Sequence, residues 1–183
     1  MNTPKVIHWF RQDLRLSDNP ALFEAAKNSS ILPIYILDDI NSKELAMGEA
    51  SRFWLHHSLN SLNKSLDQNL SIYSGDPITV ILDIIDRLDI KEIFWNRCYE
   101  PWRINRDTHI KKELESKGIK VNTLNGSLLW EPWTIKKGDG TPYKVFTPYF
   151  RKGCLLSDEP RKPISTPINL DLFNDNNSLK DIN

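Results

Sequence analysis

The segment IKEIFWNRCYEPWRINRD, which runs from Ile90 to Asp107, decides the fold. A short apolar run is followed by charged residues and then by Pro101, a residue type that is favoured at the first position of a helix. The segment therefore predicts a strand over 90–95 and a helix over 101–117 that stops at Gly118. Charges and aromatic rings crowd the point where the buried strand ends.

The same alternation of apolar run and helical pattern recurs along the chain. Further strands are predicted over 6–10, 31–37, 70–73 and 119–124, and further helices begin at Pro20 or span 49–66 and 77–88. About five β–α alternations of this kind predict an α/β fold. We expect a Rossmann-like, open five-stranded parallel sheet with helices on both faces.

The alternation breaks down after Asn125. A loop and turn region follows, with a short helix predicted over 145–154. From Ser157 onward the sequence is rich in proline, asparagine and aspartate, which is typical of linkers and tails. We therefore predict a domain over residues 1–155 and a linker or tail over residues 156–183.

Composition excludes several classes of protein. Lys plus Arg equals Asp plus Glu at 24 each, which gives no support to a nucleic-acid-binding arm or a membrane-surface patch. No apolar run approaches the roughly 20 residues that a membrane span needs, and the N-terminus has no signal-peptide pattern. Cys98 and Cys154 are far apart and lack metal-ligand spacing, so we expect a reduced cytoplasmic protein without a metal site, and a single disulfide between the two is the alternative that stays open.

Polar residues follow most of the predicted strands. Ligands of open parallel sheets bind beyond the carboxyl ends of the strands, so these residues mark a candidate site. They are Arg11–Arg15, Asp38, Asp39, Ser74–Asp76 and Asn96–Glu100. A second interpretation stays open, in which Arg11, Asp13 and Arg15 pair with Asp38 or Glu100 only to close the sheet edge.

Aromatic residues near the strand ends fall into two groups. Trp9, Trp54 and Trp95 are predicted to be core residues, whereas Trp102 and Tyr99 are the best candidates for stacking on a ligand. The chain lacks the glycine-rich phosphate loops and the G-x-S-x-G elbow. The residues therefore predict a binding domain with a polar rim and no catalytic residues.

Four motifs carry a resemblance to a known family. They are HWFRQDLRLSDNPAL (8–22), GEASRFWLHHSL (48–59), FWNRCYEP (94–101) with the RD that follows it, and YKVFTPYFRKGC (143–154). In this order and spacing they resemble the N-terminal part of the DNA photolyase and cryptochrome family. The chain is similar to a bacterial photolyase of the two-domain type.

That resemblance implies a function for the complete protein. In the family this segment is an α/β antenna domain that binds a light-harvesting chromophore, and a helical domain that follows in cis binds FAD and the DNA lesion. The complete protein would be a deoxyribodipyrimidine photo-lyase, which splits cyclobutane pyrimidine dimers with light. The 183 residues contain no helical FAD domain, so the resemblance implies that the chain is not catalytic alone and meets DNA only through the complete protein. The resemblance also implies a monomer.

The resemblance also implies which residues contact the antenna chromophore, which in relatives is a deazaflavin, FMN or FAD, or methenyltetrahydrofolate. The candidate cofactor-binding residues are Phe10, Arg11, Leu37, Asp38, Ser51, Arg52, Asn96, Arg97, Tyr99, Glu100, Arg103 and Arg106. Glu100 falls where folate-type relatives use a glutamate. However, Leu45 replaces the histidine of those relatives, which favours a deazaflavin or flavin, and Ser51 replaces the arginine expected in deazaflavin-type relatives.

Two further hypotheses belong to other classes. The chain fits a standalone nucleotide-binding protein of Rossmann-like fold, although the phosphate loop that such a protein needs is missing. It also fits an interaction module that docks through the ring-rich segment WEPWTIKKGDGTPYKVFTPYF (130–150).

Overall fold

The computed structural model describes residues 3–177 and contains one parallel sheet. Its strands are β1 (Lys5–Phe10), β2 (Ser30–Leu37), β3 (Ser71–Ser74), β4 (Glu92–Asn96) and β5 (Lys120–Leu124). The strand order is β3-β2-β1-β4-β5, and every neighbouring pair is parallel. The predicted open five-stranded parallel sheet is confirmed. The strand order reverses between β1 and β4, which is where such sheets bind ligands.

Four helices connect the strands: α1 (Pro20–Ala25), α2 (Glu49–Ser65), α3 (Pro77–Leu88) and α4 (Pro101–Ser116). Proline opens α1, α3 and α4, where its missing N–H costs no intrahelical hydrogen bond. The Asn19 side chain caps α1 by accepting a hydrogen bond from the backbone N–H of Leu22 at 3.1 Å. Among residues 3–177, none of the helices is long and apolar enough to cross a membrane.

Two apolar cores lie on opposite faces of the sheet, and β1 shows how the chain divides between them. Val6 and Phe10 pack with buried residues of α1 and α2, whereas Ile7 and Trp9 pack with those of α3 and α4. Side chains of a strand alternate between its faces, so one short strand serves both cores. The prediction of helices on both faces is confirmed.

The chain forms two compact units. Among the described residues, the first unit contains the sheet and combines residues 3–126 with residues 164–177, and the second is Ser127–Pro163. Part of the predicted linker therefore belongs to the sheet unit. Leu172 forms a parallel bridge with Ile31 at the amino end of β2, and the Phe173 N–H donates to the Ile31 carbonyl at 3.1 Å.

The second unit has no strand among its residues, all of which the structure describes. A helical segment runs through Phe146–Pro148, a π-helical turn at Tyr149–Gly153 and a 3-10 turn at Cys154–Leu156, close to the predicted short helix. Gly153 allows close packing, because a Cβ there would lie 2.5 Å from Cγ2 of Ile135. Phe146 and Phe150 stack with centroids 5.7 Å apart, and both side chains are exposed.

Candidate functional site

A cavity of about 240 Å³ lies beyond the carboxyl ends of β1 and β2, beside the first turns of α4. Its polar and aromatic walls come from the ends of β1 and β2, from the residues that directly follow them and from the first two turns of α4, and its apolar wall comes mainly from leucine and methionine side chains. The lining residues are Trp9, Arg11, Gln12, Leu14, Tyr35, Ile36, Leu37, Asp38, Asp39, Ser42, Leu45, Met47, Leu55, Trp102, Arg103 and Arg106. Parallel topology explains this gathering, since it brings the carboxyl ends of all strands to one edge.

A larger groove of about 650 Å³ lies between α1 and β5. It is shallower, and its rim is formed by charged side chains such as Glu24, Lys27 and Lys120. Lys27 and Glu24 already pair with each other at 2.7 Å. We therefore take the smaller, ring-walled cavity as the candidate site.

A buried ion-pair network holds the cavity wall together. Arg106 donates from Nη1 to Asp38 Oδ2 at 3.0 Å and from Nη2 to Asp107 Oδ1 at 2.7 Å. Arg11 pairs with the other oxygen of Asp107. Burial disfavours the charge of Arg106, but Asp107 and Asp38 outweigh it and raise the pKa of the guanidinium. The network links β1, β2 and α4.

Indole rings and guanidinium groups pack against each other in this wall. The Arg11 guanidinium lies 5.1 Å from the ring of Trp9 and 5.8 Å from that of Trp95. The Arg106 guanidinium lies 5.1 Å from Trp9 and 5.2 Å from Trp102. Each guanidinium thus packs against two indole rings, and these contacts hold both cations in place.

Several polar atoms of the cavity wall are buried and have no hydrogen-bond partner among the described residues. They are Nε1 of Trp9, Nε and Nη2 of Arg11, Nε of Arg103 and Oγ of Ser42. The Arg11 side chain is 2% exposed. Buried donors in native proteins are nearly always paired, so this set indicates a place where a polar ligand completes the bonding.

Tyr35 and Glu100 have shifted ionisation near the cavity. Burial raises the pKa of Tyr35 to about 12, an effect that Arg103 partly offsets, so the phenol stays protonated. Partial burial opposes ionisation of Glu100, but backbone amides and Gln12 bond to the carboxylate and hold its pKa below the usual value. The Gln12 amide donates to Glu100 at 2.6 Å, so Glu100 stands behind a lining residue.

A second polar network fastens the loop after β1 to the end of β4. The Asn96 amide donates to Asp13 at 2.5 Å and to Asn19 at 2.7 Å, and its carbonyl accepts from the Ala21 N–H at 3.2 Å. Arg15 donates to the Gly126 carbonyl at 2.5 Å. The motif residues Asp13, Arg15, Asn19 and Asn96 therefore stabilise the loop that carries Arg11.

The structure divides the sequence-predicted site residues into three groups. Arg11, Leu37, Asp38, Arg103 and Arg106 line the cavity together. Two others do not line the cavity but hydrogen-bond to residues that do: Arg52 donates to Asp39 at 2.7 Å, and Glu100 accepts from Gln12.

The remaining predicted residues do not line the cavity. Phe10 and Asn96 are buried, and Ser51 is exposed on α2. Arg97 donates to the Thr123 carbonyl at 2.5 Å, and the Tyr99 hydroxyl bonds Asn125 at 3.2 Å. Both therefore face the β5 side.

Sequence reasoning missed two features of the site. Trp9 was assigned to the core, yet its ring also forms a cavity wall. The ion-pair interpretation expected Arg11 to pair with Asp38 or Glu100, whereas its partner is Asp107. The signal for Asp107 was present, since Arg106-Asp107 lies one and a half turns into α4 and faces back over the strand ends.

Burial also raises the pKa of the Cys98 thiol, and both cysteines are free.

Comparison with known proteins gives a consistent result. The family model for DNA photolyase matches residues 6–167. The chain is 38% identical over 174 residues to the deoxyribodipyrimidine photo-lyase of Agrobacterium fabrum, a match that covers 93% of this chain and 36% of that protein. It is 39% identical over 156 residues to cryptochrome-2 of Arabidopsis thaliana, a match that covers 82% of this chain and 25% of that protein.

A solved structure shows the same architecture. The crystal structure of a bacterial class III photolyase from Agrobacterium tumefaciens superposes with a TM-score of 0.85 at 37% identity, covering 94% of this chain and 36% of that one. The chain thus spans about a third of the length of these photolyases.

Proposed function

The chain belongs to the DNA photolyase family, and we propose that its cavity binds an antenna chromophore that harvests light for the complete protein. In this proposal the chain absorbs near-ultraviolet or blue light through that chromophore and passes the energy to a flavin held elsewhere. The chain by itself performs no repair, because none of its motifs supplies a catalytic group.

One observation carries the proposal: a ring-walled cavity with buried, unpartnered donors lies at the strand ends. Its volume of about 240 Å³ suits a conjugated heteroaromatic ring system rather than a whole dinucleotide. Leu37, Met47 and Leu55 offer an apolar surface on which such a ring packs. Trp9 and Trp102 offer indole faces for stacking.

The residues present fit a chromophore of the deazaflavin, flavin or folate class. Such rings have flat apolar faces and edges that hydrogen-bond, and the cavity supplies both kinds of surface. The bound group would supply the light absorption. The lining residues would exclude water from the ring, Arg11, Ser42 and Trp9 would hold it by hydrogen bonds, and the Arg52–Asp39 pair would be available to a polar tail.

The activity of the complete protein is a further part of the proposal. The photolyases that the chain matches are about three times as long, since the chain covers 36% of their length. We propose that a helical FAD domain accompanies this segment in cis, and that contact with DNA and splitting of pyrimidine dimers occur only in that complete protein. A cytoplasmic, monomeric protein fits this role.

Titration with three chromophores tests the proposal. The purified chain is titrated with FMN, a deazaflavin and methenyltetrahydrofolate while absorption is recorded. We expect saturable binding with a band shift for at least one, and no repair of a thymine-dimer oligonucleotide under light. Absence of a saturable shift with all three would remove the antenna role.

Glu100→Ala then separates the chromophore classes. A folate ring that approaches the Gln12–Glu100 pair loses more affinity in this variant than a flavin-type ring does. Lys27→Met is the matched control, because Lys27 is exposed and lies outside the cavity.

A further inference from the structure

Hydrogen-bonding capacity in the cavity wall is used unevenly. The carboxylates are engaged: Asp38 accepts from Arg106 at 3.0 Å and from the Asn41 backbone N–H at 2.8 Å, and Asp39 accepts from Arg52 at 2.7 Å. The unpartnered buried nitrogens of the wall, by contrast, belong to Trp9, Arg11 and Arg103 and are all donors. The nitrogens of the wall that remain free to hydrogen-bond with a ligand are therefore donors.

Arg11 contributes more of these donors than either Trp9 or Arg103 does. Its Nη1 pairs with Asp107, but its Nε and Nη2 have no partner in the part of the chain that the structure describes. A guanidinium stays protonated, so these N–H groups are permanent donors. A buried donor that bears charge is costlier to leave unpaired than a neutral one, and a charge-assisted bond to it is stronger.

The geometry points to Arg11, together with Trp9, as the pair that selects which edge of a ring enters the cavity. The buried end receives an edge of hydrogen-bond acceptors, such as the carbonyl oxygens of a ring dione or a deprotonated ring nitrogen. A ring that brought an amino edge there would set donor against donor and leave Arg11 unpaired. This inference rests on the proposed function, since it concerns how the same cavity discriminates between chromophores.

A purely structural role for Arg11 would require fewer hydrogen-bond donors than arginine has. To neutralise Asp107 and pack on the indoles, the position needs one cation and one donor. Lysine supplies both, but it lacks the planar fork of donors that a guanidinium presents. Arg11→Lys therefore keeps the ion pair and removes the unpartnered donors that the proposal assigns to the ligand.

Two ring probes and this variant provide the test. Lumiflavin carries two carbonyl groups on one edge, whereas carbazole is a tricyclic ring of similar width whose only hydrogen-bonding group is an N–H donor. Equilibrium dialysis at pH 8, where both probes are neutral, gives the affinity of each for the wild-type chain and for Arg11→Lys. We expect Arg11→Lys to weaken lumiflavin binding about 10- to 100-fold and to leave carbazole binding within about twofold.

Controls separate the possible outcomes. Lys27→Met, which removes an exposed cation outside the cavity, is expected to bind both probes like the wild type, and thermal unfolding monitors whether Arg11→Lys stays folded. Equal loss for both probes, or none for either, overturns the inference while the antenna role stands. If the variant does not fold, equal affinity of the wild-type chain for lumiflavin and carbazole overturns the inference. Failure of the wild type to bind any chromophore overturns the antenna role itself.

Discussion

Arg106 in α4 donates from Nη1 to Oδ2 of Asp38 at the end of β2, across 3.0 Å and 68 positions of sequence. Both side chains are buried, with exposures of 6% and 4%. The pair ties the helix that forms one cavity wall to the strand that forms another. It therefore controls both the stability of the fold and the shape of the cavity.

Replacing Arg106 with methionine is expected to destabilise the chain by about 3 kcal/mol, because it leaves the buried Asp38 carboxylate without its cation and leaves Asp107 with Arg11 alone. Urea unfolding measures the loss. Lys111→Met in the same helix is the matched control: its partner Glu115 is 3.7 Å away and both side chains are about half exposed. That variant should lie within about 0.5 kcal/mol of the wild type. Equal effects of the two substitutions would show that the buried pair does not hold the cavity wall.

His8 makes the stability of the fold depend on pH. The side chain is fully buried in β1, and burial lowers its pKa from 6.5 to about 4, an effect that Asp13 partly offsets. Between these two values the unfolded chain binds a proton that the folded chain excludes. Stability contributed by the neutral ring is therefore present above pH 6.5 and is lost as pH falls toward 4.

The variant His8→Phe isolates this effect. Between pH 7.5 and 4.5 the wild type should lose about 2–3 kcal/mol more of its free energy of unfolding than the variant does. Urea titrations at the two pH values give the difference. His109→Gln removes an exposed histidine of α4 and should follow the wild type. Parallel pH dependence of wild type and His8→Phe would contradict the burial of an uncharged His8.

Gly126 lies against the network that fastens the loop after β1. A Cβ at this position would stand 2.5 Å from Cγ of Asn96, which is held in place by Asp13 and Asn19. Gly126→Ala should therefore destabilise the chain by about 1–3 kcal/mol. Gly138→Ala is the control, since nothing lies within 4 Å of its added Cβ. Thermal unfolding of both variants decides whether the loop is as tightly packed as described; identical melting temperatures would show that it is not.

Asp175 fastens the C-terminal segment to the sheet unit. Its carboxylate accepts hydrogen bonds from the Tyr73 hydroxyl and from Arg87 at 3.0 Å, and burial together with this carboxylate raises the pKa of Tyr73. Asp175→Asn weakens both bonds and should cost about 1–2 kcal/mol. Asp171→Asn, an exposed neighbour, should cost almost nothing.

Limited proteolysis after residue 163 gives a second readout of this attachment. Cleavage should be faster in Asp175→Asn than in Asp171→Asn, because release of the segment exposes its backbone. Equal cleavage rates would mean that Asp175 does not anchor the segment.

The sheet followed from the sequence because its signals are local. Each strand is a short apolar run, and proline opens three of the four connecting helices. The return of Leu172 and Phe173 to β2 was not foreseen, since a segment rich in proline and asparagine reads as a linker whatever it contacts. Contacts of this kind depend on positions more than 100 residues apart.

The site was foreseen only in part for the same reason. Topology brings Arg11, Asp38 and Arg106 to one edge of the sheet, and they do line one cavity. Topology does not say which carboxylate pairs with which arginine, because several charges of each sign share that edge. Nor does it distinguish Asn96, which supports a loop, from Trp9, which forms a wall.

Indole N–H resonances test the central claim most directly. The chain has six tryptophans, of which Trp9 and Trp102 line the cavity, whereas Trp54 is an exposed residue of α2 and Trp133 belongs to the second unit. With ¹⁵N-labelled tryptophan, the addition of a saturating chromophore should shift the Trp9 and Trp102 signals and leave those of Trp54 and Trp133 in place. Shifts confined to Trp54 or Trp133, with Trp9 and Trp102 unchanged, would contradict the assignment of the chromophore to this cavity.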